Sequence, residues 1–107
     1  MEESTYQKLT SAVWRTLLTA FDDIDPDDAE AEISGDTVVI AMKGGVKCVI
    51  NTQRPVRQIW VAAKARAWHF RYDDATASWV DDRGTGTELF ACVRQIVQGQ
   101  TGCVIPL

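Results

Sequence analysis

Seven carboxylates crowd one short stretch of the chain: Asp22, Asp23, Asp25, Asp27, Asp28, Glu30 and Glu32. Carboxylate oxygens are hard ligands, suited to ferrous, ferric, calcium, manganese or magnesium ions. The stretch contains no histidine or cysteine, which argues against zinc or copper. It also lacks the Asp/Asn-Gly spacing of an EF-hand loop, so no dedicated calcium cage is expected. The pattern predicts exposed, weak, poorly selective cation sites that share carboxylates. Position adds a second argument. Asp22 and Asp23 follow an amphipathic helix, and negative charge at a helix C-terminus is unfavourable by roughly 0.3–1 kcal/mol per group. A sequence shaped only for stability would place Lys or Arg there. Composition alone favours a solubilising acidic loop, and placement argues for cations; both stand at this point.

Charge is segregated along the chain. Residues 1–32 hold nine acids against Lys8 and Arg15, whereas residues 33–107 hold six acids against nine bases, within a net charge of −4. Separated charge of this kind steers a basic partner or concentrates cations, and phosphates would be repelled from the acidic half, so nucleic acid is not an expected partner. No apolar run approaches the roughly 18 residues needed to cross a bilayer, so no membrane role is expected. The acidic start, Met1-Glu2-Glu3-Ser4, is unlike a basic presequence. Cys48, Cys92 and Cys103 form no CxxC pair, which disfavours a closed zinc site. Cys48 and Cys92 fall in apolar patterns and are expected in the core, and three reduced thiols suit a cytoplasmic location.

The elements that must position these groups are short and regular. Leu9, Val13, Leu17 and Phe21 recur every four residues, predicting a helix that starts at a Ser4-x-x-Gln7 capping box and ends near Phe21. Strand character follows in Ala29–Ile33, Thr37–Met42, Val46–Asn51, Gln58–Ala62, Ala67–Tyr72 and Ser78–Asp81, with Gly44-Gly45 as a hairpin signal. Connections this short cannot be parallel crossovers, so the sheet is expected to be an antiparallel meander. A second apolar stripe, Leu89, Phe90, Val93, Ile96 and Val97, predicts a closing helix with Thr87 as N-cap. The fold class is therefore α+β, a two-layer α/β sandwich: N- and C-terminal helices pack on one face of an antiparallel sheet of five to six strands, in a single domain spanning residues 1–107.

One sheet face must then meet water or a partner. Period-two counting turns Cys48, Ile50, Ile59 and Val61 toward the helices and leaves Val49, Asn51, Gln58, Trp60 and Ala62 outside. An outward Trp60 among amides, with Arg54, Arg57 and Lys64 nearby, has the make-up of an interface anchor with a polar surround. His69 is the lone histidine, and no Ser or Cys nucleophile is paired to it by spacing. A structural histidine is the simpler expectation.

The run Asn51-Thr52-Gln53-Arg54-Pro55-Val56-Arg57-Gln58-Ile59-Trp60-Val61-Ala62 resembles the signature of the frataxin family, Asn-x-Gln-x-Pro followed by Gln-Ile/Val-Trp-Leu-Ala. Leu17 to Ile33, with its Asp-Asp-x-Asp series, is similar to the acidic ridge of bacterial frataxins, and Val38–Asn51, Trp68-His69-Phe70 and Trp79-x-Asp81-x-Arg83 fall in family order. The resemblance implies two helices on one face of an antiparallel sheet. It also implies weak binding of Fe²⁺ or Fe³⁺, and of other divalent cations, at Asp22, Asp23, Asp25, Asp27, Asp28, Glu30 and Glu32. Implied partners are the cysteine desulfurase and the scaffold protein of iron–sulfur cluster assembly. Asn51, Gln53 and Trp60 match the partner-binding sheet surface, and Arg57 and Gln58 beside them complete the candidate set. The expected protein is a cytoplasmic monomer, with oligomers induced by iron, and is not an enzyme; the resemblance admits ferroxidase chemistry, but no side-chain set here assigns turnover. Leu18 and Thr19 stand where relatives usually carry acids, Gln7 stands where a histidine is common, and Arg54 occupies a position commonly acidic or neutral. The ridge is thus shorter by about one turn, and fewer or weaker iron sites are expected. The first rival is an acidic decoy that binds a basic protein without metal. The second is a small enzyme centred on His69, which would need a concave pocket.

Overall fold

A computed structural model describes residues 1–107. Helix α1 runs from Glu3 to Thr19, followed by strands β1 (Ala29–Ser34), β2 (Thr37–Met42), β3 (Val46–Gln53), β4 (Gln58–Ala63), β5 (Arg66–Asp73) and β6 (Ser78–Asp81). Helix α2, Leu89–Thr101, ends the regular structure. The six strands form one sheet in sequence order, every neighbouring pair antiparallel. This is the expected α+β sandwich, with six strands.

Register decides the faces. Val38 pairs with Ile50 and Ile40 with Cys48, while Ile50 also pairs with Val61 and Ile59 with Phe70. All of these are buried, so one face of the sheet is a continuous apolar floor. Onto it α1 lowers Tyr6, Thr10, Val13 and Leu17, and α2 lowers Leu89, Cys92, Val93 and Val97. The i, i+4, i+7, i+11 spacing in α1 places those four on a single stripe. Thr10 sits inside this stripe because its hydroxyl donates back to the Tyr6 carbonyl at 3.0 Å, which satisfies it locally. Beyond α2 the chain folds back to bury Ile105, and Arg94 donates to the Leu107 carbonyl at 2.8 Å to hold that tail. No helix is long and apolar enough to cross a membrane.

Both helix starts differ from expectation by a residue or two. In α1 the cap is Glu2, with extended backbone and no side-chain cap. Gln7 donates to the Glu3 carboxylate at 3.2 Å, so no capping box forms with Ser4. In α2 the cap is Glu88 rather than Thr87: its two carboxylate oxygens accept from the Phe90 and Ala91 amides at 2.9 and 3.2 Å. A bridge between Val80 and Glu88 holds residue 88 in extended geometry. An N-cap needs that backbone shape, and a carboxylate there also meets the helix dipole favourably. At its far end α1 closes at Thr19; residues 20–23 continue as tight turns through Phe21 N–H to Leu18 and Asp22 N–H to Thr19.

Burial raises two thiols and a phenol. Cys48 is pushed up to about 12, mainly by desolvation with Cys92 adding to it. Cys92 rises to about 11 by desolvation, and Tyr6 is raised above 10 by the same cause. An acid with a folded pKa above its unfolded value keeps a proton that the unfolded chain has lost, so stability falls as pH rises. Denaturant midpoints are expected to hold steady to about pH 9 and to fall between 9 and 12; Cys48→Ala, though less stable near neutrality, will show a shallower alkaline decline. Alkylation at pH 7.5 followed by mass spectrometry will label the half-buried Cys103 in the native protein, and Cys48 and Cys92 only after denaturation.

Candidate functional site: an acidic segment and an open sheet face

The acidic segment links α1 to the edge strand β1. Asp22, Asp23, Asp25 and Asp27 are exposed and Asp28 is half-buried. Asp25 shapes the loop: its carboxylate accepts from the Asp27 amide at 2.9 Å, and its carbonyl accepts from Asp28 and Ala29 at 2.8 and 3.1 Å. The Asp28 carbonyl then accepts from Lys43 N–H at 2.9 Å, tying the loop to the end of β2. Glu30 and Glu32 pair with Ala41 and Val39, which puts them on the sheet face away from the helices. The seven acids therefore divide between a loop and the rim of the open face.

None of the seven forms an ion pair. The salt bridges of the molecule join Arg54 and Arg57 to Glu3, Arg54 to Asp36, and His69 to Asp82. The ridge is thus an uncompensated anionic surface. Its carboxylates do not converge, for no three His, Cys, Asp or Glu side chains lie close enough to hold one ion. The donor chemistry suits a hard cation, but the carboxylates form no cage for one.

The open face is built in rows. Asn51 pairs with Trp60, and Trp60 with His69; Gln53 pairs with Gln58, and Gln58 with Arg71. Beside them Val39, Val49, Ala62 and Ala67 form a low apolar strip that runs out to Glu32 at the sheet edge. Trp60 stands half-buried above this strip, stacked on His69 with ring centroids 4.1 Å apart and planes 12° from parallel. Its indole N–H donates to Gln58 Oε1 at 2.8 Å. Asn51, Gln53, Gln58 and Trp60 are brought together on one surface, as the alternation implied. The acidic segment is separate from them, joined to the face only through Glu30 and Glu32.

Arg57 has a different position. It occupies left-handed backbone at φ 53°, a conformation that strains any residue with a Cβ. Its guanidinium lies 2.9 Å from Glu3 and 5.6 Å from the Tyr6 ring centre, and donates to the Arg54 carbonyl. Those contacts fasten the 53–58 turn to α1. Tyr6 completes the fastening: its hydroxyl donates to the Gln58 carbonyl at 2.6 Å and accepts from Gln53 N–H at 3.1 Å. The Asn-x-Gln…Gln-x-Trp surface is therefore held from behind by a buried phenol 47 and 52 residues away in sequence. No local pattern in the sequence points to this role of Tyr6, or to those of Glu3 and Asp82, since each acts on a segment distant in sequence.

His69 does not line any of the principal clefts. One, of about 270 Å³, lies on the helix side between Trp68 and Ile96, and the others lie along α1 or between α1 and the β5–β6 end. The His69 ring is stacked on Trp60 and faces the Asp82 carboxylate instead.

Two helices on one face of a six-stranded antiparallel meander, with an acidic helix-to-strand link and a tryptophan on the bare face, define a frataxin-like α+β sandwich. A family model for the frataxin-like domain matches residues 1–103. The iron-sulfur cluster assembly protein CyaY of Paraburkholderia phymatum is 35% identical over 102 residues, covering 95% of this chain and 93% of that protein. The protein of the same name from Cupriavidus metallidurans is 36% identical over 110 residues, covering 100% and 96%. The chain belongs to the frataxin family and is of the bacterial CyaY type. Among solved structures, the frataxin of Psychromonas ingrahamii superposes with a TM-score of 0.88 at 21% identity, covering 98% of this chain and 96% of that one. A trimeric frataxin from the yeast Saccharomyces cerevisiae gives 0.74 at 23% identity, covering 89% and 87%.

Removing the Tyr6 hydroxyl leaves the Gln53 N–H and the Gln58 carbonyl without their partner. Tyr6→Phe is expected to destabilise the protein by about 1–3 kcal/mol and to raise amide exchange in residues 52–58, as read by hydrogen–deuterium exchange, while β1 and β2 stay protected.

Proposed function

We propose that this protein is an accessory and regulatory component of iron–sulfur cluster assembly in the cytoplasm. The carboxylates of residues 22–32 hold Fe²⁺ or Fe³⁺ loosely, and the same acidic surface docks on a basic surface of the cysteine desulfurase. The open sheet face, with Asn51, Gln53, Gln58 and Trp60, meets the scaffold protein, and Arg57 supports that surface by holding the turn that carries it. The observation that carries the proposal is that none of the seven ridge carboxylates forms an ion pair, while the molecule pairs Glu3 and Asp36 with its arginines elsewhere. Charge left open in this way is available to an external cation or a basic protein. The names borne by the relatives from Paraburkholderia and Cupriavidus support the assignment to cluster assembly.

A second reading has its own support. Because no three carboxylates converge, the ridge also suits docking to a basic protein with no metal involved. Anaerobic Fe²⁺ titration by calorimetry and amide NMR separates the two: heat together with saturable shifts in residues 22–32 supports cation binding, and neither signal leaves the metal-free decoy. Co-elution of the desulfurase from native lysate, lost when Asp22, Asp23, Asp25 and Asp27 become Asn, tests the docking that both share.

The unpaired ridge has a thermodynamic signature. Asp22→Asn/Asp23→Asn is expected to raise the melting temperature by a few degrees, because mutual repulsion at the helix end is relieved, and to weaken cation binding in the same experiment. A fall in melting temperature would show that those carboxylates serve the fold.

A further inference from the structure

We propose that His69 and Asp82 are positioning residues that fix the orientation of Trp60, and that protonation of His69 tightens their hold. The inference rests on the open face being the docking surface proposed above.

Trp60 is held on two sides. The His69 imidazole covers its ring at 4.1 Å, nearly parallel. Its indole edge is held through Gln58, which accepts from Trp60 Nε1 at 2.8 Å and donates from Nε2 to Asp82 Oδ2 at 3.3 Å. The same Asp82 oxygen lies 3.8 Å from His69 Nδ1. One carboxylate oxygen thus joins both supports, reaching the edge of the indole through an amide and its face through an imidazole. Asp82 is itself placed by the backbone, its N–H donating to the His69 carbonyl at 2.9 Å. The four side chains close a loop on the sheet face turned away from the helices, where packing of the apolar core gives no reason for one.

Histidine is the side chain whose ordinary charge change falls between pH 5 and 8. As an imidazolium, His69 would stack on Trp60 as a cation over an aromatic face, and its contact with Asp82 would become an ion pair. Both changes hold the indole more firmly. The other charged groups around it are few. Arg71 lies two residues along β5 on the same face, opposite Val80, and Arg83 follows Asp82 in the chain. β4 contributes only Trp60, Gln58 and Ala62 to this face. Arg71 and Arg83 oppose the proton, and Asp82, with its Oδ2 3.8 Å from Nδ1, favours it. An aromatic anchor already fixed in one orientation gives up less freedom when a partner docks. For a pair this exposed, the gain in affinity is about two- to fivefold.

The experiment has two arms. In the free protein, the Trp60 indole ¹H–¹⁵N resonance is followed from pH 5.5 to 8. A one-proton titration is expected in the wild type. It is lost in His69→Phe, which keeps a stacking ring, and reduced in amplitude in Asp82→Asn, which removes the carboxylate that joins the two supports. Thermal unfolding at pH 7 verifies that both variants fold. A flat indole signal in the wild type, or an undiminished response in Asp82→Asn, overturns the inference whatever the partner does. In the second arm, affinity for the iron–sulfur scaffold protein is measured at pH 6 and pH 8. A two- to fivefold tighter complex at pH 6, abolished in His69→Phe, supports the inference; equal affinities overturn the link from protonation to docking. Absence of binding at either pH, with the indole titrating as expected, sinks the docking assignment while the positioning of Trp60 by His69 and Asp82 stands.

Discussion

Two helices with one apolar stripe each can cover only one face of a sheet. Everything distinctive about this molecule follows from that shortage. The covered face receives the fully buried side chains of the sheet, from Val38 and Ile40 through Ile59 and Phe70, and its packing fixes strand register, because a slip of one residue would exchange the faces. Once register is fixed, the residues at alternate positions have no choice but to face outward. Asn51, Trp60 and His69 line up across three strands for that reason, and their grouping is a by-product of how the core is built.

The bare face needs a firm frame, and α1 provides it from the other side of the sheet's end. Tyr6 belongs to the buried stripe, yet its hydroxyl reaches the β3–β4 connection and bonds both limbs of the turn. Arg57 accepts a left-handed backbone to reach Glu3 and the Tyr6 ring. Electrostatics follows the same division of labour. Glu3 and Asp36 are matched to arginines at this end of the molecule, while the acids between α1 and β1 are left open. The anionic segment meets the open face at the rim of β1, where Glu32 looks across Val39 and Val49 toward Ala62, next to Trp60, and Glu30 looks across Ala41 toward Lys47.

Much of the architecture was legible in the sequence because each strand is short, alternates clearly and is bounded by turn residues. Thr37–Met42 and Ser78–Asp81 were read with the bounds they have, and β3 and β5 extend by a residue or two beyond the predicted ends. The outward placement of Trp60 followed from period-two counting alone. Caps were less legible: whether residue 87 or 88 begins α2 is decided by a bridge to Val80, a contact between segments that local spacing does not encode. The site was readable as a set of residue types and not as a geometry. Counting acids could not reveal that they fail to converge, or that Glu30 and Glu32 belong to a different surface from Asp22 and Asp23. Nor could it reveal the loop through Gln58, Asp82 and His69, which depends on the register of β4, β5 and the residue just past β6.

The sheet pairs each strand only with its neighbours in the chain. Hairpins of this kind can close as soon as their second limb leaves the ribosome, with little loop entropy to overcome. The apolar floor is a different matter: Leu89, Val93, Val97 and Ile105 are synthesised only after all six strands. Until they emerge, half of that floor has no cover. A nascent chain therefore carries a sheet ahead of its lid, and a ribosome that stalls within α2 would release a species whose exposed surface is the one the mature protein hides.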